Sequence, residues 1–457
     1  MIKKRLAFCL LAIALSLNLF CGSEVYRLHA ATTGDNNPYD DFETFVRVLE
    51  TVRSHYVDGD KIAYRDLVHS ALRGMIGSLD PHSEFMVPQK YDRMRKDTEG
   101  AFGGIGVVIG VRTNKLGEST LTVVEPMEDT PAGRAGVIAN DRIIKIEDLS
   151  TAGFSIEDAI NHLRGKPGSK VSITVQRPIG ETDSKELTFE LKRAVIKVSS
   201  VRDLRGFTKF PVNADQIGYV RLWQFGERTG DEFERALDKM EDQGMKALVL
   251  DLRDNPGGLL DQAVEVSEKF LPRGQLVVST EARNAADQSV YKASGKDVHP
   301  KYPIAILINH GSASASEIVA GCLQDLERAI VIGEQSFGKG SVQSILPLED
   351  GSALRLTTAK YYTPSHKVIH EKGITPNIVV SMTEEQERLV ALQRSYSDLE
   401  FLPESEREKV RQAKDPQLER ALDMLKGILL YGKDGKPVSK VTQRTETPPA
   451  KMQPVAP

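Results

Sequence analysis

Two short apolar runs constrain this chain more than anything else in it. They are Ile304-Ala305-Ile306-Leu307-Ile308 and Ala329-Ile330-Val331-Ile332-Gly333. With no alternating polar face to turn toward water, such runs fit strands covered on both sides, as in the parallel sheet of an α/β protein. Between them Ile318, Val319, Cys322, Leu323 and Leu326 recur at three- and four-residue spacing, the stripe of a helix with one face in the core. Successive strands of one parallel sheet end on the same side, so the segments that follow them are brought together there.

Those segments are Asn309-His310-Gly311-Ser312-Ala313-Ser314-Ala315-Ser316-Glu317 and Phe337-Gly338-Lys339-Gly340-Ser341-Val342-Gln343. Ser314 falls at a strand-to-helix turn, beside N–H groups that lack intrahelical partners and carry the positive end of the helix dipole. Donors of that kind stabilise a developing oxyanion. Serines at such a turn also cap helices, and the run by itself leaves both roles open. Lys339 offers a base that needs no histidine. It acts as one only when neutral, so its pKa of about 10.4 has to fall by about 3 units, at a cost on the order of 4 kcal/mol. Desolvation is the usual means. The flanking glycines let the chain fold tightly around the side chain, and Phe337 is expected to supply apolar cover. Glu317 and Glu334, if close, work against this by holding the lysine charged. An exposed loop lysine is the competing reading.

A third segment, Leu250-Asp251-Leu252-Arg253-Asp254-Asn255-Pro256-Gly257-Gly258, follows an apolar strand and leads into a helix from about residue 259 to 270. Glycine at such a turn permits the close backbone approach of an oxyanion hole. An ordinary β-to-α turn has the same composition.

The paired motifs around Ser314 and Lys339 resemble those of the carboxyl-terminal processing (tail-specific) serine proteases, over about residues 42–382. The resemblance implies Ser314 as nucleophile, Lys339 as general base, Gln343 as the residue that positions the lysine, and Gly257, Gly258 and the Ala315 N–H as oxyanion donors. It also implies a crotonase/Clp-protease-like α/β core within an α/β (α+β) multidomain protein. The alternative on the same fold is a non-catalytic ligand-binding or adaptor protein, which would be expected to lose the base; Lys339 and Gln343 are both present.

Residues 100–194 are expected to form a separate domain. Gly103-Gly104-Ile105-Gly106-Val107-Val108-Ile109 opens it, strands follow near 121–124, 143–146, 171–177 and 187–191, and Ser155 with Asp158 makes a capping box for a helix ending at Gly165. This order resembles a PDZ domain, which adds a peptide as a β-strand and holds its terminal carboxylate on loop N–H groups. Gly104, Ile105, Gly106 and Val107 are then the binding loop, and Arg164, at the helix end, is a candidate sensor of substrate. The loop is no dinucleotide fingerprint, because Ile109 stands where the third glycine belongs.

The remaining divisions expected are a leader at 1–31, a helical region at 36–99, the protease core at 195–382, a helical segment at 383–432 with a helix near 417–430, and a disordered tail at 433–457. Lys3-Lys4-Arg5 before an apolar run at 6–20 read as a signal peptide or an N-terminal membrane anchor. Export to the periplasm or the outer face of the cytoplasmic membrane follows from that reading. Two of the three cysteines, Cys9 and Cys21, lie in the leader, leaving Cys322 without an intrachain partner after cleavage. Phe42, Phe45, Val46, Leu49 and Val52 share a helix face, and the family's helical region contributes to dimers. The expected partners are proteins with accessible C-termini, with an adaptor and a homodimer as further candidates.

With 60 basic and 64 acidic residues and no basic block, nothing in the sequence suggests nucleic acid. No cofactor motif is present. His310 sits in the same short turn as Ser314 and is badly placed to serve it as a base. His366, His370 and Glu371 mimic a metal spacing but flank a turn rather than a helix, so no metal site is assigned.

Overall fold

The computed structural model of the chain describes residues 38–59, 62–98, 101–113, 119–127, 129–179, 183–394, 402 and 404–431. The leader and the tail expected from sequence lie outside these residues. Among the described residues no helix is long and apolar enough to cross a membrane. The chain divides into two compact units, Met1–Phe85 and Met86–Pro457.

The first unit contains helices α1 (Pro38–His55) and α2 (Tyr64–Gly77). On α1, Phe42, Phe45, Val46 and Val52 are exposed among the described residues. At Asp80 the chain turns, and the Asp80 carboxylate accepts from the N–H groups of His82 and Ser83.

The second unit opens with α3 (Pro88–Thr98). An antiparallel domain follows: β1 (Ala101–Gly104), β2 (Val107–Thr113), β3 (Ser119–Pro126), α4 (Pro131–Ala135), β4 (Arg142–Ile146), α5 (Ile156–Leu163), β5 (Lys170–Ile179), β6 (Asp183–Lys192) and β7 (Ala194–Lys197). The capping box predicted for α5 is present, with Ser155 and Asp158 satisfying each other's N–H groups. The main sheet runs β2-β3-β4-β5-β6, and β1 pairs with β7. Strand β2 is therefore an edge strand, and α5 lies beside it.

The core comprises β8 (Val201–Arg202), β9 (Ile217–Leu222), α6 (Thr229–Asp242), β10 (Ala247–Asp251), α7 (Leu260–Glu268), β11 (Leu276–Ala282), β12 (Ser289–Lys292), β13 (Ile304–Ile308), α8 (Ala315–Asp325), β14 (Ile330–Gly333), β15 (Ser341–Pro347), β16 (Ala353–Tyr362) and β17 (Ile378–Val379). Helices α9 (Glu384–Arg394), α10 (Glu404–Gln412) and α11 (Pro416–Tyr431) complete it. Strands β9, β10, β13, β14 and β17 run parallel, with β8 antiparallel at one edge.

Every residue of β10 and β13 is buried, and the reason is a cover on each face. Alternate residues such as Leu248, Leu250, Ile304 and Ile306 pack with Phe233 and Leu237 of α6, Val266 of α7 and Val319 of α8. The residues between them, Ala247, Val249, Ala305 and Leu307, face Leu418, Ala421 and Leu425 of α11. A fully buried leucine such as Leu425 contributes roughly 2–3 kcal/mol by leaving water. The C-terminal helix is thus the third layer of the core. Strands β15 and β16 form a hairpin that turns at Asp350-Gly351, and β16 also pairs with β11.

Candidate active site

The carboxyl ends of β10, β13 and β14 lead into three turns that meet. In the first, the serines divide the work. Ser312 Oγ donates to Leu252 O (2.8 Å) and Ser316 Oγ to Asn255 O (3.0 Å), and both serines are fully buried. They bolt the turn to the Asn255-Pro256-Gly257-Gly258 loop. Ser314 is the serine that lines the open cleft, and it does so with φ 55° and ψ −115° at the start of α8. That conformation costs about 1–3 kcal/mol. It marks a sharp turn from the strand into the helix.

Glu317, with no exposed surface, joins this turn to the next. Its Oε2 accepts from the N–H of Ser314 (2.8 Å) and of Lys339 (2.9 Å). Its Oε1 accepts from Ser336 Oγ (2.5 Å) and the Gly338 N–H (2.7 Å). Burial pushes the carboxyl's pKa up, against the pull of these donors. The carboxylate that sequence reading sets against a neutral lysine meets that lysine's backbone N–H. Phe337 does not supply the expected apolar cover, being 62% exposed. Lys339 is half-buried and lines the cleft with Ser314. A side chain on Gly340 would come within 2.3 Å of the His370 N, so only glycine fits there.

Gln343 lines the same cleft, and its amide donates to Ser341 Oγ (2.9 Å) and Ser341 O (3.2 Å). Tyr361 was not singled out in the sequence. Its buried hydroxyl donates to Lys339 O, and burial raises the phenol's pKa. No local signal marks it; the hairpin pairing of β15 with β16 brings it in.

In the glycine loop, Gly257 has φ 99°, and a Cβ there would lie 2.7 Å from Ser314 Cβ. Its N–H is already engaged, donating to Asn255 Oδ1 at 2.9 Å. Among the described residues the N–H groups of Gly258 and Ala315 have no protein acceptor. Of the three sequence-predicted donors, Gly257 therefore shapes the loop while the other two remain available to a substrate oxygen.

The first half of that motif turns away from the cleft. Arg253, 2% exposed, bonds Asp251 through Nη2 (2.6 Å), Asp415 through Nη1 (2.9 Å) and Gln417 through Nη1 (3.0 Å). Burial would raise the Asp251 carboxyl, but the Arg253 and Arg394 guanidiniums more than offset it and hold it well below the usual carboxylate range.

The cleft itself is a cavity of about 1110 Å³ whose opposite wall is α3. Arg93 of α3 bonds Glu157 and Asn161 (3.0 Å) on α5. The predicted peptide loop lies elsewhere, on the β2 side of that domain. Gly106 O accepts from Met127 N (3.0 Å) and Thr130 Oγ1 (3.1 Å), Ile105 is buried, and Gly104 and Val107 end and begin the strands on either side. Arg164 stacks its guanidinium over the Phe102 ring at 4.1 Å.

Residues 216–380 match peptidase family S41, and residues 122–177 match a PDZ domain. A carboxy-terminal-processing protease of Bartonella bacilliformis is 44% identical over 356 residues, 76% of this chain and 77% of that one. The chain belongs to this family. The carboxy-terminal processing protease CtpB of Bacillus subtilis is 35% identical over 73% of this chain and 66% of its own length. A solved photosystem II D1 C-terminal processing protease is 28% identical over 74% of this chain and 92% of that one, with a TM-score of 0.41. As a family member the chain is a serine-type peptidase with a PDZ domain, and its substrates are proteins.

Proposed function

We propose that this peptidase cuts proteins selected by their C-terminal tails, with Ser314 as nucleophile and Lys339 as general base. The observation that carries the assignment is Glu317, one buried carboxylate holding the backbone N–H groups of both residues at the mouth of one cleft. Neutral Lys339 takes the Ser314 proton as Oγ attacks the scissile carbonyl. The N–H groups of Gly258 and Ala315 receive the developing oxyanion. Collapse releases the C-terminal fragment, with the lysine returning the proton to its amine. Water, deprotonated by the same lysine, then hydrolyses the acyl-enzyme. Gln343 steadies this corner of the cleft from β15.

Tail selection is assigned to residues 100–194, ahead of a catalytic core at 195–382. The free edge of β2 beside α5 suits an added strand, and Ile105 and Gly106 N–H groups without a protein acceptor among the described residues suit a carboxylate. Arg164 is assigned a place at the rim of that groove. A gated version of the activity is favoured by Arg93, which ties the cleft wall to α5, so a tail seated beside α5 would move that wall. The exposed apolar stripe of α1 supports pairing of two copies, and the basic and apolar start of the sequence supports export, with or without retention as an anchor.

The test is cleavage of an unstructured protein with an apolar C-terminus. Ser314→Ala and Lys339→Ala should each lower kcat/KM by about a thousandfold or more. Wild-type rates in both would overturn the assignment. Amidating or charging the substrate's tail should raise KM, and indifference to the tail would remove the PDZ domain from selection.

A further inference from the structure

We infer that His299, Glu234 and Asp238 form a binding site for one zinc ion. One ligand atom from each lies within 4.8 Å of the others. Glu234 and Asp238 are one turn apart on α6, and His299 reaches them from the segment that leads into β13. The imidazole is oriented as a zinc ligand requires. Its Nδ1 is 2.8 Å from Glu241 Oε1, which fixes the ring and leaves Nε2 turned toward the other two residues. His299 is 7% exposed, and Nε2 is buried without a hydrogen-bond partner among the described residues. Glu234 Oε1 stands 3.1 Å from that nitrogen, at ion-pair distance. Two ligands of one tetrahedral zinc, each at about 2.1 Å, are separated by about 3.4 Å, close to this spacing.

The charges around the ring agree. Glu234, Asp238 and Glu241 place three carboxylates here against the ammonium of Lys269, which pairs with Glu234 Oε2 at 2.8 Å and leaves Oε1 for a metal. Phe270 lies 6.3 Å from the imidazole, centroid to centroid, and itself packs with Tyr302 and Arg328. One imidazole with two carboxylates suits zinc, whereas calcium and magnesium take oxygen cages. Water completes the fourth position. His299 precedes β13 and Ser314 follows it, so the length of that strand, about 16 Å at ~3.3 Å per residue, separates the site from the nucleophile. The ion would staple α6 to the segment entering β13 and take no part in peptide cleavage.

The test titrates Zn²⁺ alone into the metal-stripped full chain by calorimetry, with Tm read in parallel. The expected result is one equivalent bound and a raised Tm. Glu241→Gln should weaken binding about 10- to 100-fold. Asp238→Asn, at an exposed position that leaves the fold intact, should weaken it at least as much. His310→Ala should bind like wild type. Co²⁺ in place of zinc should show the visible absorption of a four-coordinate site, and the rate of substrate cleavage should not change on loading. No stoichiometric binding by wild type overturns the inference, as does undiminished binding by both acidic-site variants. Loss of binding in His310→Ala would overturn it too, placing the ion at His310, Glu334 and Glu387 instead.

Discussion

Replacing Glu317 by Gln changes one atom and divides the two turns it joins. The carboxylate meets four donors, the N–H groups of Ser314 and Lys339 on Oε2, and Ser336 Oγ with the Gly338 N–H on Oε1. An amide offers one acceptor and one donor, so whichever way it is turned, its NH₂ confronts two of them. Facing Ser336 is the milder choice, because that hydroxyl can rotate to accept, yet the Gly338 N–H is then stranded. One orphaned buried donor costs about 1–3 kcal/mol. Removing a buried charge returns part of this, since burial already disfavours the ionised form. A net loss of about 2 kcal/mol in urea unfolding is expected. The kinetic effect is larger: displacing the nucleophile or base by about 1 Å lowers kcat on the order of 100-fold. Glu317 does not line the cleft, so KM should hold. Stability within about 0.5 kcal/mol of wild type, together with an unchanged kcat, would refute the role given to this carboxylate.

Gly257→Ala should fold with wild-type circular dichroism yet lose more than about 100-fold in kcat/KM, because its Cβ would sit 2.7 Å from Ser314 Cβ; an active variant contradicts the close approach. Tyr361→Phe should lower kcat about tenfold, the worth of one hydrogen bond, and an unchanged kcat would show the bond to Lys339 O to be idle. Asp251 and Asp415 are lowered in the folded protein: burial raises each, but the guanidinium of Arg253 more than offsets it. The stability they contribute is therefore complete above an unfolded pKa of about 4 and is lost as pH falls below it. Arg253→Met should cost about 3–5 kcal/mol and move the acid-unfolding midpoint to higher pH, and an unmoved midpoint would count against the pairing.

Strand and helix periodicity made the parallel sheet and its turns legible, because both sheet faces are apolar at short range. The motif pair also located the cleft. What could not be read depends on long-range closure. The residue pattern does not say which of three serines lines the cleft; that is decided by Leu252 O and Asn255 O claiming the other two. The backbone role of Glu317 is not legible because its donors come from a turn some twenty residues on. The Gly257 N–H was counted as an oxyanion donor because nothing local reveals that Asn255 takes it. Helix α11 looked like an isolated amphipathic segment, since its face has meaning only once the sheet exists.

The Arg253 cluster sets an order of events during synthesis. Its partners Asp415 and Gln417 lie 162 and 164 residues downstream. Until they leave the ribosome, the strand that ends in Asn255-Pro256-Gly257-Gly258 has a buried cation facing only part of its counter-charge, and the sheet lacks the cover of α11. The Asn255-Pro256-Gly257-Gly258 turn is thus braced by residues made long after it, and the cleft it lines is finished only once α11 has been synthesised.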